Sequence, residues 1–408
     1  MRRRSRERER VLVLGGGFAG LAAALELPSD RYAVTLVDRN PWFEFLPNIH
    51  ELLSGVKTPE LLRIPLAPSL AQVGHAFEHD TVTALDADAQ TVSTSGGARI
   101  GYDALIVALG GVDATRGVSG VAEHSMPFKS VEQCHRIGRR LSALARRRDP
   151  ANVVIIGGGL GGVEALGEIL RRYRGDDLHV RVVEARDRLL PEAPAALDEI
   201  VRSLCEPHAV DFLLESPVSR IEARSVSLQD GRSLPSDLTI WTGGPTAPGL
   251  LAEFGLAPPG DWAPVEETLR SKEQERIFVA GDACALPTPL AKQGYYALDM
   301  GVHAARNAKR LLAGRELRRF RPSGKPTLIS FGDLTCFLVA GERVVSAPAL
   351  AAAKEAVFEL VMTQLDPRPS WRRLPRVAAR ADRAARELLW PSISSWSALG
   401  RQWQVSVR

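Results

Sequence analysis

Residues 11–25 read VLVLGGGFAGLAAAL, and residues 153–166 read VVIIGGGLGGVEAL. In both stretches four apolar residues run into a glycine turn, and small or apolar residues follow the turn. This order predicts a buried strand, a tight turn and a helix. The chain therefore repeats one strand, turn and helix unit.

Each copy has the spacing GxGxxG and is followed by a second apolar strand that ends in an acid. The glycines are Gly15, Gly17 and Gly20 in the first copy and Gly157, Gly159 and Gly162 in the second, and the acids are Asp38 and Glu184. A pyrophosphate binds at a helix N-terminus, where unpaired N–H groups and the helix dipole favour negative charge, and the acid accepts hydrogen bonds from the ribose. A single motif also occurs as a plain tight turn, but two complete copies predict two dinucleotide sites.

The acid of the second copy indicates which nucleotide binds there. A carboxylate at position 184 repels the 2′-phosphate of NADPH, so we expect NADH. Arg186 and Arg188 lie close enough along the chain to keep NADPH open as the alternative.

The order of the remaining apolar segments predicts one domain inserted in another. Segments 102–111, 239–244 and 277–283 each run into glycine, and the first two would carry the chain between the nucleotide domains. From Pro322 onwards we expect strands near 327–330 and 336–340 and a helix from about Leu350 to Leu365. The fold class is α/β, with two Rossmann-like dinucleotide-binding domains and a C-terminal α+β portion with an amphipathic helical tail. The predicted bounds are 10–113 with 245–325 for the first domain, 114–244 for the inserted domain and 326–408 for the C-terminal portion.

Composition places most of the chain in ordinary globular domains. The 408 residues are 45% hydrophobic and 25% charged, and the four cysteines form no CxxC pair, so neither a disulfide framework nor a zinc ribbon is expected. We expect a reducing, cytoplasmic setting. The start does not read as a signal peptide, and no run of 18 apolar residues occurs, so any membrane contact is expected to be peripheral.

These residues, from about Val11 to Phe337, resemble the flavoprotein family of oxidoreductases with two dinucleotide-binding domains, and most of all its type II NADH dehydrogenase (NADH:quinone oxidoreductase) branch. The segment 40–55, NPWFEFLPNIHELLSG, is similar to the branch's stretch beside the flavin. The resemblance implies FAD on the first glycine motif, NADH on the inserted domain, and the corner of Gly281 and Asp282 on the flavin side. Further cofactor-binding residues that it implies are Phe18, Ala19, Arg39, Pro47, Ala108, Gly110 and Ala291.

The resemblance also implies three catalytic residues: Glu164, Lys292 and Gln293. We expect a helix to start at Thr288 and point at the flavin, where its positive end and Lys292 stabilise negative charge on the reduced ring. Glu164 would face the nicotinamide and flavin and assist proton transfer, with Glu168 a weaker candidate. A carboxylate in a helix's first turn is also stabilised by the dipole alone, and Lys292 also reads as a solvated lysine.

The implied activity is hydride transfer from NADH to FAD, then transfer of two electrons to a quinone, without a metal and without proton pumping. The branch commonly shows an Ala-Gln motif where this chain has Ala291, Lys292 and Gln293, which leaves the acceptor open. The alternatives are a reductase of a soluble carrier such as a ferredoxin or rubredoxin, a sulfide:quinone oxidoreductase using Cys134, Cys205 or Cys336, and a flavin- and NADH-binding sensor. Disulfide reduction is not expected, because no cysteine precedes Cys134.

Two further patterns have competing interpretations. His75 and His79 match the HxxEH zinc pattern, but the segment reads as a strand, so we predict no metal site. From Pro375 the tail shows apolar positions at helical spacing, with arginines and tryptophans around them. Such a tail is typical of a helix on an anionic membrane, here the cytoplasmic face of the inner membrane, or of one packed on the protein's own body or on a second subunit of a homodimer. No nucleic-acid partner is predicted.

Overall fold

The computed structural model describes residues 8–369 and the backbone of Gln404–Ser406. Its helices are α1 (Phe18–Glu26), α2 (Glu51–Ser54), α3 (Leu66–Gln72), α4 (Val121–His124), α5 (Val131–Leu144), α6 (Leu160–Tyr173), α7 (Ala196–Cys205), α8 (Leu250–Glu253), α9 (Gly294–Leu312) and α10 (Leu350–Leu365). The strands before the insertion are β1 (Glu9–Leu14), β2 (Tyr32–Asp38), β3 (Trp42–Glu44), β4 (Arg63–Pro65), β5 (Ala76–His79), β6 (Val82–Asp86), β7 (Thr91–Thr94), β8 (Arg99–Gly101), β9 (Ala104–Val107) and β10 (Val112–Asp113). Those of the insertion are β11 (Met126–Pro127), β12 (Ala151–Ile156), β13 (Leu178–Val183), β14 (Val210–Leu213), β15 (Val218–Glu222), β16 (Ser225–Leu228), β17 (Ser233–Pro235) and β18 (Leu238–Trp241). The chain then forms β19 (Pro245–Thr246), β20 (Ala263–Pro264), β21 (Ile277–Val279), β22 (Cys284–Ala285), β23 (Thr327–Phe331), β24 (Thr335–Ala340), β25 (Arg343–Ser346) and β26 (Gln404–Ser406).

The first nucleotide domain is built on a parallel sheet in the order β21-β9-β1-β2-β5. Val11 is in register with Val34 on one side and Ala104 on the other, and residues 11–14 are at most 1% exposed. An apolar run of this kind is what a parallel strand covered on both faces requires. The glycine turn after β1 therefore opens at the carboxyl edge of the sheet, where nucleotides bind.

The inserted domain repeats the same plan. Its parallel sheet has the order β11-β18-β12-β13-β14, with Val153 opposite Val180 and Leu238. In both domains a three-stranded antiparallel sheet follows: β6-β7-β8 in the first and β15-β16-β17 in the second. The predicted α/β class and the internal repeat are confirmed.

The chain passes between the two domains through a short ribbon. Val112 and Asp113 of β10 pair with Thr246 and Pro245 of β19 in antiparallel fashion. The ribbon lies where the predicted bounds, 113/114 and 244/245, place both crossings; the bounds themselves stay a prediction.

The C-terminal portion forms an antiparallel sheet, β23-β24-β25-β26, with α10 packed against it. The two predicted strands and the helix over 350–365 are confirmed. The predicted tail lies outside the described residues, apart from the strand β26. In the part of the chain that the structure describes, no helix is both long and apolar enough to cross a membrane.

Candidate functional site

Glycine is required at the first turn because its backbone is both strained and crowded. Gly15 has φ +101°, and a Cβ there would lie 2.3 Å from the carbonyl oxygen of Ala108. A Cβ on Gly20 would lie 1.8 Å from the carbonyl oxygen of Gly15. Gly17, the residue before α1, differs, because a Cβ on it would meet no protein atom within 4 Å. The turn is closed at its back and open in front of the helix N-terminus.

The second turn has the same geometry. Gly157 has φ +107°, and its Cβ would lie 2.7 Å from the carbonyl oxygen of Thr242. The third glycine, Gly162, crowds Gly157 in the same way, while Gly159 faces open space. Neither α1 nor α6 has a side-chain cap on its first N–H groups. Both helix ends thus offer free backbone donors to an approaching phosphate.

The two acids occupy equivalent positions beside the turns. Asp38 accepts hydrogen bonds from the N–H groups of Gly16 at 2.5 Å and Asn40 at 2.7 Å. Glu184 accepts them from Gly158 at 2.6 Å and Arg186 at 2.9 Å. Burial raises the pKa of Asp38 despite these bonds. Each carboxylate keeps lone pairs free for two ribose hydroxyls.

The predicted flavin side also meets at the carboxyl edge of the first sheet. Ala108 and Gly110 follow β9, and Gly281, with φ +74°, lies against Ala19 of α1. The side-chain carboxylate of Asp282 accepts no hydrogen bond from any side chain or backbone group among the described residues. Burial raises the pKa of its carboxyl group. A half-buried carboxylate without a donor suits a ligand that brings hydroxyl groups. The other predicted residues Arg39, Pro47 and Ala291 are exposed.

The predicted helix start at Thr288 is wrong. Helix α9 starts at Gly294, with Gln293 as its N-cap residue at φ −133° and ψ 144°. The preceding segment is irregular. There Lys292 Nζ donates to the carbonyl oxygens of Asp282 and Cys284, both at 2.7 Å, and these bonds tie the segment to the chain around residue 283 instead of letting it continue the helix. The ammonium also lies 4.2 Å from the centre of the Trp262 ring.

Gln293 is fixed by neighbours on both sides of its amide. Its Nε2 donates to the hydroxyl of Thr327 at 3.3 Å, and the hydroxyl of Tyr295 donates to its Oε1. Gly294, the first residue of α9, lies close to the Phe18 ring: a Cβ there would lie 3.1 Å from the ring, a tight contact. The start of α9 therefore lies directly against the first glycine turn.

Glu164 is buried at the joint between the inserted domain and the C-terminal portion. Its Oε1 accepts a hydrogen bond from Lys354 Nζ of α10 at 2.5 Å and from the N–H of Ser330 in β23 at 3.2 Å. Both side chains of this ion pair are at most 10% exposed. A buried pair costs desolvation free energy, and removing one partner leaves the other charge uncompensated. The pair by itself is therefore weak evidence of a gain in stability.

Glu168 lies one turn further along α6 and contacts α2. The hydroxyl of Ser54 donates to its Oε2, and Arg171 lies 3.7 Å from its Oε1. Burial and the charge of Glu51 raise the pKa of Glu168 to about 7. The weaker sequence candidate is thus a buried carboxylate that titrates near neutral pH.

The sequence did not reveal three further residues of this cluster: His50, Lys57 and Lys354. Lys57, 2% exposed, pairs with Glu355 at 2.7 Å and with Glu51 at 3.3 Å. The one available signal for Lys354 was a lysine that, with Glu355, interrupts the otherwise apolar stretch 350–358. Only packing of α10 on the nucleotide domains shows that this lysine points inward.

A row of aromatic rings links α10 to the first glycine turn. Phe358 packs edge-on against Phe45 at 4.9 Å between ring centres, and Phe45 packs against Phe18 at 5.4 Å. Phe358 lies one turn after Lys354 on the same face of α10. This row links the helix that carries Lys354 to the first glycine turn.

The remaining motifs show no catalytic environment. All four cysteines are buried and free, and burial raises the pKa of Cys205 to about 12 and of Cys336 to about 11. His75 bonds the carbonyl of Leu27, and His79 lies at the end of β5, as the predicted strand required. Among the described residues no group of three His, Cys, Asp or Glu side chains forms a metal site.

The fold and the paired glycine turns define a class of enzyme: an oxidoreductase with two dinucleotide sites. The chain belongs to the pyridine nucleotide-disulphide oxidoreductase family, whose profile matches residues 9–309. It is 28% identical over 357 residues to a type II NADH:quinone oxidoreductase of Staphylococcus haemolyticus, covering 80% of this chain and 89% of that protein. The resemblance to this branch is confirmed, and with it the cofactors FAD and NADH.

Solved structures share the fold at lower identity. The NDH2 structure from Plasmodium falciparum in complex with NADH matches with a TM-score of 0.80 and 15% identity, covering 93% of this chain and 98% of that one. The sulfide:quinone oxidoreductase of Aquifex aeolicus matches with a TM-score of 0.76 and 22% identity, covering 89% and 94%. These two neighbours carry different activities on one fold, so the acceptor has to be argued from the site.

Proposed function

We propose that this protein is a non-electrogenic NADH:quinone oxidoreductase that binds FAD on its first glycine turn and NADH on its second. The residues proposed for FAD are Gly15, Gly17, Phe18, Ala19, Gly20, Asp38, Arg39, Pro47, Ala108, Gly110, Gly281, Asp282 and Ala291. Those proposed for NADH are Gly157, Gly159, Gly162 and Glu184. When bound, the flavin supplies a site that accepts a hydride and gives up two electrons.

The preference for NADH over NADPH is supported by how the nearby arginines are engaged. Arg188 donates to the carbonyl oxygens of Ala193 and Pro191, both at 2.8 Å. Arg186 pairs with Glu192 at 2.7 Å. Both guanidinium groups therefore already have partners within the protein. The side chain beside the glycine turn, where the ribose is proposed to bind, is the carboxylate of Glu184. A 2′-phosphate would meet repulsion rather than a partner.

The buried Glu164–Lys354 pair is the observation that carries the choice of acceptor. NADH, a quinone and one proton give NAD⁺ and a quinol, so the protein has to deliver one proton at a buried site. Lys354 Nζ is proposed to donate it, and Glu164 holds the ammonium in place. A one-electron iron–sulfur carrier needs no such proton, which argues against a ferredoxin or rubredoxin.

The sulfide:quinone alternative and the sensor alternative are less well supported. A sulfide oxidase of this kind needs reactive thiolates, whereas burial holds the thiol pKa of Cys205, Cys284 and Cys336 near 11 or 12. A sensor has no need of a buried proton donor beside its flavin.

Lys292 and Gln293 are proposed to act around the flavin ring in different ways. Lys292 shapes the segment before α9 by holding the two carbonyl groups described above, and its positive charge lies close to Asp282. Gln293 presents an oriented amide at the start of α9. Both would stabilise charge that develops on the reduced ring.

We place the enzyme at the cytoplasmic face of the inner membrane, where quinones dissolve. The support is the similarity to the type II enzymes together with the basic, tryptophan-containing tail in the sequence. Co-sedimentation with anionic vesicles tests this placement, and loss of binding on removal of residues 370–408 is the expected result.

An anaerobic titration followed by an acceptor tests the proposed function. NADH should bleach the flavin absorbance, and a soluble quinone should restore it at a rate that a stopped-flow instrument resolves. Bleaching that ferredoxin reverses but quinone does not would overturn the proposal, as would a protein purified without flavin.

A further inference from the structure

His50 is a buried histidine whose ring nitrogens have no partner. It precedes α2 and is 1% exposed, and neither Nδ1 nor Nε2 forms a hydrogen bond with any described residue. Buried polar groups are nearly always satisfied, so an imidazole with two unpaired nitrogens needs an explanation. It is not needed to fill space, since leucine or phenylalanine would do so without a desolvation cost.

The groups around His50 are charged and come from three parts of the chain. Glu164 of α6 is nearest, with its Oε2 3.7 Å from His50 Nδ1. Lys354 of α10 also faces it, as do Glu51 of α2 and Lys57. Burial lowers the pKa of His50 to about 4, so the ring is neutral at pH 7 and carries one N–H donor.

The two oxygens of Glu164 are used unequally. Oε1 takes both hydrogen bonds, from Lys354 and from Ser330, while Oε2 accepts none from the described residues. His50 Nδ1 lies 3.7 Å from Oε2, a gap about 0.5 Å too long for a hydrogen bond. A small side-chain rotation closes such a gap.

We propose that His50 is the alternative partner of the Glu164 carboxylate, taking over when Lys354 has given up its proton. This role rests on the proposed function for its catalytic meaning. In the step, an N–H bond of the Lys354 ammonium breaks and one O–H bond forms on the quinone. The two electrons and the second hydrogen of the quinol correspond to the single hydride that NADH gives up. Lys354 is then a neutral amine, and solvent later returns the proton.

The physical reason is the cost of an unpaired buried charge. Once Lys354 is neutral, the Glu164 carboxylate has lost its counter-charge in a site of low dielectric constant. A hydrogen bond from His50 to Oε2 stabilises that state, so Lys354 releases its proton more readily. Without His50, Lys354 holds the proton more tightly and the acceptor is reduced more slowly.

Stopped-flow reoxidation of the NADH-reduced enzyme by a soluble quinone tests this role. His50→Leu should slow reoxidation about tenfold, and His50→Gln, which keeps an N–H donor, should recover part of the rate. The alkaline limb of the rate profile should move to higher pH in His50→Leu. His75→Leu, a second buried histidine of the same domain without contact to Glu164, is the matched control and should stay within about twofold of the wild type. If His50→Leu lowers the maximal reoxidation rate but leaves the alkaline limb of the pH profile unmoved, His50 has only a packing role and the proposal is overturned.

A spectroscopic measurement tests the partner exchange without any turnover. In protein with ¹⁵N-labelled histidines, the His50 signal is the one of eight that is lost in His50→Gln. Lys354→Met should move that signal towards the protonated or strongly hydrogen-bonded form at pH 7. An unchanged His50 signal in Lys354→Met would refute the exchange even if the enzyme reduces quinones. Conversely, a moved signal in a protein that fails to reduce quinones would sink the proposed function and leave the Glu164–His50 contact standing.

Discussion

The two nucleotide domains repeat one plan but cover their glycine turns differently. Phe18, the first residue of α1, is 8% exposed beneath Phe43 and Phe45. The equivalent residue of α6, Leu160, is 41% exposed. The difference arises after the second strand, because the first domain inserts residues 42–65 over its turn, and α10 packs on them.

This contrast matches the two kinds of ligand that the sites are proposed to hold. A covered turn retains a cofactor that stays bound through many cycles, whereas an open turn exchanges a substrate on each cycle. The same glycine motif therefore serves a prosthetic group in one domain and a diffusible dinucleotide in the other. What differs is the packing around it.

Substituting the open glycine of each turn should separate the two sites most strongly. Gly17→Val should give a protein without flavin, because the side chain occupies the space in front of α1 without a backbone clash. Gly159→Val should keep the flavin but prevent NADH from bleaching it. Absorbance spectra before and after NADH measure both outcomes. Loss of flavin from Gly159→Val, with Gly17→Val still yellow, would reverse our assignment of the two sites.

Replacing the buried carboxylate should separate the two half-reactions. Glu164→Gln removes the charge that holds Lys354, so we expect flavin reoxidation by quinone to slow about a hundredfold. Bleaching by NADH should change much less. The matched control is Glu206→Gln, an exposed glutamate of the same domain. Equal slowing of both half-reactions in Glu164→Gln would place this residue in hydride transfer instead.

Changing the acid of the second turn should alter nucleotide choice. Glu184→Arg removes the ribose acceptor and adds a partner for phosphate. The KM for NADH should therefore rise about tenfold, and the KM for NADPH should fall. The variant also removes the bonds to Gly158 and Arg186, so flavin content and Tm are measured alongside. Unchanged KM values for both nucleotides would contradict the assignment of Glu184.

The pH dependence of stability gives the smallest expected effect. The folded-state pKa of Glu168, about 7, lies above that of an exposed glutamate, so the folded protein binds more protons between about pH 5 and pH 7. Unfolding free energy should therefore fall as pH rises through this window. Glu168→Gln should remove about 1 to 2 kcal/mol of that fall. Urea unfolding at several pH values measures it, and an identical slope in the variant would contradict the raised pKa.

Much of the site was predictable because local pattern sets it. The apolar runs, the glycine spacing and the two acids determine both turns, since only glycine fits where Gly15 and Gly20 approach other backbone atoms. The helix start at Thr288 was mispredicted for a local reason as well. Thr288 and Pro289 have the residue types of a helix start. The helix nevertheless begins only at Gly294, because Lys292 is bonded to the carbonyl groups of Asp282 and Cys284.

The sequence by itself determined two dinucleotide folds, their order along the chain and the family to which the protein belongs. Only the tertiary structure decided which turn is covered, which glutamate meets a lysine and where an unpaired histidine lies. The reason is physical: periodicity and turn chemistry act between near neighbours along the chain. The pairing of Glu164 with Lys354 joins residues 190 positions apart and exists only once α6 and α10 pack together.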